Sequence, residues 1–315
     1  MLLSVIIPIY NESANIDLLY NRLGSVLNKM ENSTYEMVFV NDGSADNSLE
    51  LIQKFAKTDE KIKFINFSRN FGHQIAVTAG LDHCNGDAIV IIDADLQDPP
   101  ELILDLMKKY QEGFQVVYAK RKSRKGESYF KKLTAKWFYR ILSRITSVEI
   151  PVDTGDFRII DRKIVDVLMK MPEKQKFLRG QISWVGYKQT FVEYERDERH
   201  AGETGYTYRK MIQFALDGIT SFSNFPLKFA TIAGFTVSGI AFLVMIYTLF
   251  SRFILEETQP GWTSLMLSVL FIGGIQLIGI GIIGEYISRI SDNVRNRPLY
   301  IVSDSNMKKN KEANS

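Results

Sequence analysis

Short apolar runs rich in β-branched residues alternate with segments of helical periodicity through the first part of the chain. Near-continuous apolar strands separated by helices predict a parallel sheet that is covered on both faces. The predicted fold class is therefore α/β, with a Rossmann-like, mainly parallel sheet. The strand-like runs are 3–9, 36–40, 62–67 and 88–92, and the helical segments lie near 16–30, 46–57, 73–83 and 100–110.

Farther along the chain, two long stretches contain no charged residue. They cover residues 229–251 and 260–284, which are 23 and 25 residues long. A helix needs about 20 residues to cross a bilayer, and a core helix rarely stays uncharged on every face for so long. The pattern predicts a transmembrane hairpin over 225–290, with helices at about 229–251 and 262–287, following a domain of residues 1–224.

Basic residues lie on one side of this hairpin. Lys and Arg residues near a membrane span are retained on the cytoplasmic side. The loop that connects the two predicted helices contains one Arg and two Glu, so it has no excess of positive charge. Both termini are therefore predicted to be cytoplasmic, with residues 291–315 as a cytoplasmic C-terminal tail. The single cysteine, Cys84, agrees with a reducing compartment. The flanking basic residues are Arg209, Lys210 and Lys228 before the hairpin and Arg289, Arg295, Arg297, Lys308, Lys309 and Lys311 at its end.

Positive charge is unevenly distributed along the chain. The net charge of +3 is too small to indicate a nucleic-acid partner. Between Tyr118 and Ser147, however, ten Lys or Arg residues stand against one acid, Glu127. Apolar and aromatic residues recur at helical spacing there, which is typical of a helix in a lipid headgroup layer; a solvated helix packed on its own domain is the alternative. Interface helices are predicted at about 127–147 and 206–223.

Polar and acidic residues follow the predicted strands at their carboxyl ends, where parallel sheets bind ligands. The first strand is not followed by the GxGxxG motif of dinucleotide-binding proteins, and no GxxxxGK motif is present. Carboxylates repel a nucleotide diphosphate unless a divalent cation bridges them. The strand-end residues are Pro8, Tyr10, Asn11 and Glu12, then Asn41, Asp42 and Gly43, then Asp93, Ala94, Asp95, Leu96 and Gln97.

Asp93 and Asp95 form the sharpest local signal. Two acids separated by one residue can supply hard oxygen ligands to Mg²⁺ or Mn²⁺, which take their other ligands from water and substrate phosphates. The alternative is a helix cap and turn, and Asp98 before Pro99 and Pro100 is expected to be such a cap. The neighbouring strand-end acids favour a metal and nucleotide-sugar site.

An ordered set of segments spans essentially the whole chain. They read SVIIPIYNE, VFVNDGSADNS, SRNFGHQIAVTAGLDHCNGDAIVIIDADLQDPPE, DTGDFRIIDR, RHAGETGYTYRKM, LDGITSFSNFPL and YISRISDNVRNRPLYIV. This set resembles the family 2 glycosyltransferases of GT-A fold that act on polyprenyl phosphates. The resemblance is greatest to the GtrB-like bactoprenol glucosyltransferases, and dolichyl-phosphate mannose synthases are more distant relatives.

The resemblance implies a role for each matching residue. One departure concerns Gly205, which replaces a lysine that often contacts phosphate in the family; Lys210 could replace that contact. The implied metal ligands are Asp95, Gln97 and Asp93, and the implied catalytic residues are Asp156, Asp95 and Arg199. The implied nucleotide-sugar-binding residues are Pro8, Tyr10, Asn11, Glu12, Val40, Asp42, Asp93, Ala94, Asp95, Arg121 and Arg199.

Asp156 takes the position that the family treats as a base or as an acid that positions the acceptor. A lipid phosphate has a second pKa of about 6, by analogy with phosphoserine, so its oxygen is already anionic at neutral pH and a strong base is unnecessary. The alternative for Asp156 is a structural acid paired with Arg158. His73, His83 and His200 share no close ligand spacing and are expected in surface or packing roles.

The resemblance also implies an activity. A sugar, preferably glucose from UDP-glucose, would pass with inversion to undecaprenyl (polyprenyl) phosphate at the bacterial inner membrane, with Mg²⁺ or Mn²⁺ as cofactor, for cell-envelope glycosylation. A mannosyl- or aminoarabinosyl-type transferase is the alternative. A noncatalytic membrane-anchored binding module is disfavoured because all the strand-end acids are present. A homo-oligomer is expected because two spans leave a modest membrane footprint.

Overall fold

The computed structural model describes residues 1–30, 33–122, 154–195, 223, 225–253 and 261–307. The expected interface helix at 127–147 lies outside these residues, as do Arg199, Gly205 and nearly all of the segment 206–223. Within the described residues the structure contains eight strands and eight α-helices.

Eight strands form one mixed sheet. Their order is β7-β5-β6-β4-β1-β2-β3-β8. Strands β1, β2, β3 and β4 are mutually parallel where they pair, as the apolar runs predict, and β5 is parallel to β7, while β6 and β8 run antiparallel to their neighbours. The strands are β1 (Leu2–Ile9), β2 (Thr34–Asn41), β3 (Ile62–Phe67), β4 (Ala88–Ile91), β5 (Val116–Arg121), β6 (Thr154–Asp161), β7 (Gln189–Tyr194) and β8 (Val302–Ser305).

Helices cover both faces of this sheet. Side chains of β1 alternate between the two faces: Val5 belongs to the apolar cluster that includes residues of α1, α2 and α4, whereas Ile6 belongs to the cluster that includes residues of α3, α5 and α6. This explains why β1 is apolar at nearly every position. The helices are α1 (Ser13–Leu27), α2 (Ser48–Thr58), α3 (His73–His83), α4 (Ile103–Gln111), α5 (Arg162–Lys170), α6 (Leu178–Trp184), α7 (Phe225–Phe253) and α8 (Trp262–Val294), with a short 3-10 turn at Pro100–Leu102 before α4.

The last two helices are long, apolar and exposed. Segments Phe225–Val244 of α7 and Phe271–Val294 of α8 are long and apolar enough to cross a membrane, and none of their residues is buried within the protein. Phe235, for example, is 78% exposed. A helix from the core of a soluble protein would instead be mostly buried. The fold is therefore an α/β domain with two C-terminal helices that could span a membrane.

The segment after α8 differs from the expected tail of residues 291–315. Strand β8 pairs antiparallel with β3 and closes that edge of the sheet, with Asn66 opposite Asp304. Asn306 extends the connection: its side chain accepts from the Phe64 amide at 2.8 Å and donates to the Ile62 carbonyl at 2.9 Å. Backbone and side-chain hydrogen bonds therefore hold the described part of this segment, up to residue 307, on the first domain.

The packing of α3 on β1 depends on Gly80. A Cβ atom there would lie 2.4 Å from Cγ2 of Ile6, whereas a Cβ at Gly24 of α1 would meet no atom within 4 Å. We predict that Gly80→Ala destabilises the domain by about 1–3 kcal/mol because Ile6 is buried and cannot move freely. Gly24→Ala should be neutral or stabilising by up to about 1 kcal/mol. Unfolding midpoints of the two variants in detergent provide the comparison; equal midpoints would contradict the prediction.

Candidate active site

Two acids follow the carboxyl end of β4 in a tight turn. Leu96 holds this turn with a positive φ of 59°, an unusual conformation for leucine, and its side chain is buried in the core. The Oδ1 atom of Asp95 accepts a hydrogen bond from the Gln97 amide at 3.1 Å. Packing of Leu96 thus fixes a turn that presents Asp93 and Asp95 at the sheet edge where β1 and β2 also end.

Asp156 reaches the same place from the antiparallel strand β6. Arg158 pairs with Ile91 at the end of β4, so extending the register by two residues brings Asp156 opposite Asp93. The pairing direction of β6 therefore adds a third acid to the two that follow β4. Sheet topology, and not proximity in sequence, assembles the cluster.

Positively charged groups surround the Asp156 carboxylate. The Nε atom of Arg179 lies 2.9 Å from Oδ1, and Nε2 of His73 lies 3.1 Å from Oδ2. Gln74 donates to Oδ2 at 3.3 Å, and Arg158 Nη2 lies 3.8 Å from Oδ1. Burial alone would raise the pKa of Asp156, but Arg179, His73 and Arg158 outweigh it and hold the pKa well below its usual range. Asp156 is therefore a stable anion and a weak base.

Arg158 is itself buried beneath the site. Its guanidinium donates to the carbonyl of Gly155 at 2.8 Å and to the carbonyl of Asp156 at 3.2 Å. Burial lowers its pKa to about 10 although Asp156 opposes the shift. The pairing of Asp156 with Arg158 that the sequence offered as an alternative is thus present, but Arg179 and His73 are the nearer partners.

His73 bridges two acids of the cluster. Its Nε2 atom lies 3.6 Å from Asp93 Oδ1 as well as 3.1 Å from Asp156, and its side chain is 42% exposed. Burial alone would lower its pKa, but Asp93 and Asp156 raise the pKa to about 9, so His73 carries a proton at neutral pH. His73 is exposed, as expected for a surface histidine, but its position at the start of α3 also brings it beside both acids.

Asp93 has the opposite environment to Asp156. Burial, followed by the negative charges of Asp156, Asp98 and Asp95, raises its pKa to about 6, although His73 opposes this shift. Its Oδ1 atom is buried and accepts no hydrogen bond from the described residues. An oxygen in this position gains most from a cation.

A divalent metal fits this donor set. Mg²⁺ is usually held by one or two carboxylates together with water and substrate phosphates, and Asp93 and Asp95 offer such a pair of hard oxygen donors. Among the described ranges, no group of three or more His, Cys, Asp or Glu side chains could hold a metal ion by itself. The residues therefore suit an ion whose coordination is completed by the substrate. Gln97, whose backbone amide donates to Asp95, lies on the same turn.

Asp42 is engaged by the backbone at the end of β2. One carboxylate oxygen accepts from the Phe71 amide at 2.6 Å and the other from the Gly72 amide at 2.9 Å, so Asp42 fixes the loop that leads into His73. Burial raises its pKa, although these two hydrogen bonds lower it. Asp42 thus organises the site, in addition to the nucleotide contact that the family resemblance implies.

The loops after β1 and β2 are tied together. Asn11, with a positive φ of 56°, accepts from the Ala45 amide at 2.8 Å, and the Glu12 amide donates to the Ser48 hydroxyl at 3.1 Å. Tyr10 projects into solvent, 51% exposed. Pro8, Val40 and Ala94 of the expected nucleotide-binding set are buried at the same edge of the sheet.

Arg121 lies on the other flank, at the end of β5. Its Nε donates to the Tyr194 hydroxyl at 3.3 Å, and its Nη2 lies 3.9 Å from Asp98. Asp98 is buried and also accepts from Tyr194. The 3-10 turn that follows has no side-chain cap, so the expectation that Asp98 caps a helix was wrong. Asp98 instead orients the guanidinium of Arg121 beside the acid cluster.

Comparison with known proteins agrees with this arrangement. The family model described as Glycosyl transferase family 2 matches residues 4–169, more than half of the chain. The uncharacterized glycosyltransferase YkcC of Bacillus subtilis (strain 168) is 53% identical over 302 residues, 96% of this chain and 93% of that protein. The prophage bactoprenol glucosyl transferase homolog of Escherichia coli (strain K12) is 41% identical over 302 residues, 96% of this chain and 98% of that protein.

A third relative extends the match over its whole length. The bactoprenol glucosyl transferase of Shigella phage SfV is 40% identical over 308 residues, 98% of this chain and 100% of that protein. A match over 98% of this chain covers the acid cluster and both apolar helices. The chain therefore belongs to glycosyl transferase family 2.

Proposed function

We propose that the protein transfers glucose from UDP-glucose to undecaprenyl phosphate, or a similar polyprenyl phosphate, with inversion at the sugar. The observation that carries the proposal is the cluster of Asp93, Asp95 and Asp156 at the carboxyl ends of the strands, in a chain that continues into two exposed apolar helices. The bactoprenol glucosyl transferases, which match nearly full-length, support a lipid phosphate acceptor and glucose as the sugar. The product would be a lipid-linked sugar phosphate for the cell envelope.

The donor side of the reaction requires stabilisation of a leaving diphosphate. A bound Mg²⁺ or Mn²⁺ would supply positive charge to the diphosphate oxygens. Asp93 and Asp95 are the residues that would hold the ion, with Gln97 beside them. Arg121, oriented by Asp98 and Tyr194, would add a further positive charge. Arg199 is proposed for the same task from the family resemblance.

The acceptor side requires little help from a base. A phosphate oxygen with a second pKa of about 6 is already a nucleophilic anion at neutral pH. The pKa of Asp156 is held low by Arg179, His73 and Arg158, so this carboxylate could not effectively accept a proton from the acceptor phosphate. We assign Asp156 instead to positioning. It holds Arg179 and His73 beside the place where the acceptor phosphate approaches the diphosphate-linked sugar.

The membrane arrangement follows from the acceptor. The tail of a polyprenyl phosphate stays in the bilayer, so the cleft has to face the headgroup layer. We propose that α7 and α8 span the bacterial inner membrane, with the catalytic domain and both termini in the cytoplasm because Lys and Arg flank the pair on that side. The basic segments at 127–147 and 206–223 would contact headgroups, and self-association would enlarge the membrane footprint.

We expect transfer of radioactive glucose from UDP-glucose to undecaprenyl phosphate when a panel of labelled nucleotide sugars is tested with Mg²⁺ or Mn²⁺. Asp95→Ala should abolish this transfer and leave folding intact, because a metal ligand in a strand-end turn contributes more to chemistry than to packing. Lys108→Ala, which removes only an exposed pair with Asp105, is the control. Near-normal turnover of Asp95→Ala at saturating metal would contradict the metal assignment, and transfer from another donor alone would correct the sugar.

The acidic limb of the pH profile should belong to the acceptor. Asp156 is ionised throughout pH 5 to 9, so Asp156→Asn should lower the rate through lost positioning and leave a limb near pH 6 in place. Initial rates measured at saturating donor and metal test this. Saturation with metal keeps Asp93 ionised. A phosphonate acceptor of higher second pKa should move the limb upward in both proteins. Loss of the limb in Asp156→Asn, with a rate loss of about 10²- to 10⁴-fold, would identify a true general base.

The topology predicts where an impermeant reagent can react. A cysteine placed at Thr258, in the turn between the two apolar helices, should be labelled in intact cells because this turn lies outside. A cysteine placed at Ser315 should be labelled only after the cells are opened. The reverse pattern would show that the hairpin is inserted with the opposite orientation.

A further inference from the structure

Helix α8 extends beyond the part that a membrane can enclose. Its 33 residues span about 50 Å, compared with about 30 Å for the hydrocarbon core of a bilayer. The charged residues Glu285, Arg289 and Asp292 lie in its last turns. These turns continue the apolar part without a break, so a rigid helix connects the membrane to whatever the turns contact.

The first contact is with the loop between α5 and α6. The Asn293 side chain accepts from the Lys174 amide at 2.9 Å, Asn296 accepts from the Lys174 ammonium at 2.9 Å, and Arg289 donates to Gln175. This loop leads within four residues to Arg179, the nearest partner of Asp156. The end of α8 therefore holds the segment that delivers Arg179.

The second contact is with the end of α3. The Tyr300 hydroxyl donates to Asp82, and the Tyr300 ring stacks on Phe67 with centroids 5.1 Å apart. Helix α3 begins with His73 and Gln74, which both bond Asp156. Residues after α8 thus hold the second element that carries partners of Asp156.

The two elements are also joined to each other. The Leu178 amide at the start of α6 donates to the Gln74 side chain at 3.3 Å, while the same Gln74 donates to Asp156. Movement of either element would therefore displace groups around the carboxylate. The helices α1 and α4 carry no partner of Asp156 among the described contacts.

We propose that Arg289, Asn293, Asn296 and Tyr300, which we name the α8 clamp, are positioning residues for transfer to a membrane-embedded acceptor. The inference rests on the proposed function. A lipid phosphate is fixed at the membrane surface by its tail, so the reacting groups must stand at a set distance from the spanning helices. The α8 clamp sets that distance by bonding the two elements that hold His73 and Arg179. An acceptor that diffuses freely does not need it.

The test compares two acceptors with one donor. The double variant Asn293→Ala/Tyr300→Phe removes one hydrogen bond to the loop between α5 and α6 and the hydroxyl contacts with Asp82 and His83 of α3, and it keeps the Tyr300 ring. With UDP-glucose, we expect its kcat to fall about tenfold for undecaprenyl phosphate in vesicles and less than about twofold for a water-soluble short-chain polyprenyl phosphate.

A matched control removes the same chemistry elsewhere. Tyr20 also donates to an aspartate, Asp59, and stacks on a phenylalanine, Phe55, but in the contact between α1 and α2. Tyr20→Phe should leave the ratio of the two kcat values unchanged. If the double variant does not fold, Tyr300→Phe alone should change the ratio in the same direction.

Three outcomes would overturn the inference. An equal loss of kcat with both acceptors would show that the α8 clamp only stabilises the fold, and wild-type kcat values with both acceptors would show that it has no positioning role. The absence of lipid product from the wild-type protein with every donor would overturn the proposed function, and the inference with it. Product from the wild type together with an unchanged ratio separates failure of the inference from failure of the proposed function.

Discussion

A carboxylate removed from water has to be paired with positive charge, and the arrangement of the site depends on this requirement at Asp156. Removing one partner from such a buried pair leaves an uncompensated charge, which is strongly destabilising. The partners arrive from different places: His73 from the start of α3, Arg179 from α6, and Arg158 from the same strand. Pairing this one carboxylate therefore fixes the relative position of three elements that are distant in sequence.

The same pairing separates the roles of two neighbouring acids. Asp156 is surrounded by cations and its pKa lies well below the usual range. Asp93 has three acids nearby and a buried oxygen that accepts no hydrogen bond from the described residues, and its pKa is about 6. Carboxyl groups whose environments differ in this way take different tasks in one site. Asp93 suits a cation that arrives with the substrate, and Asp156 suits the permanent ordering of positive charge.

The sequence predicted what local patterns encode. The apolar strands, the helices between them and the acids after β1, β2 and β4 were all accessible because each depends on a few consecutive residues. The pairing of Arg158 with Asp156 was accessible because both lie two residues apart on β6, whereas the contact of Arg179 with Asp156 depends on the packing of α6, which no local pattern reveals. His73 was harder to identify, because it follows the end of β3 by six residues, whereas Asp93 follows the end of β4 by two. Strand β8 could not, because its residues VSDS carry no apolar pattern and pair through the backbone.

The pairing of β8 with β3 also affects the order in which the protein can mature. Strand β8 follows α8 in the chain, so a ribosome makes it only after both apolar helices have been synthesised. Until then β3 is an open sheet edge, which can pair with other chains. Completion of the catalytic sheet is thereby delayed until the helices are available for membrane insertion. A nascent chain whose helices fail to insert would retain both exposed apolar helices and a poorly placed β8, two features that quality-control proteases and chaperones recognise in unfinished proteins.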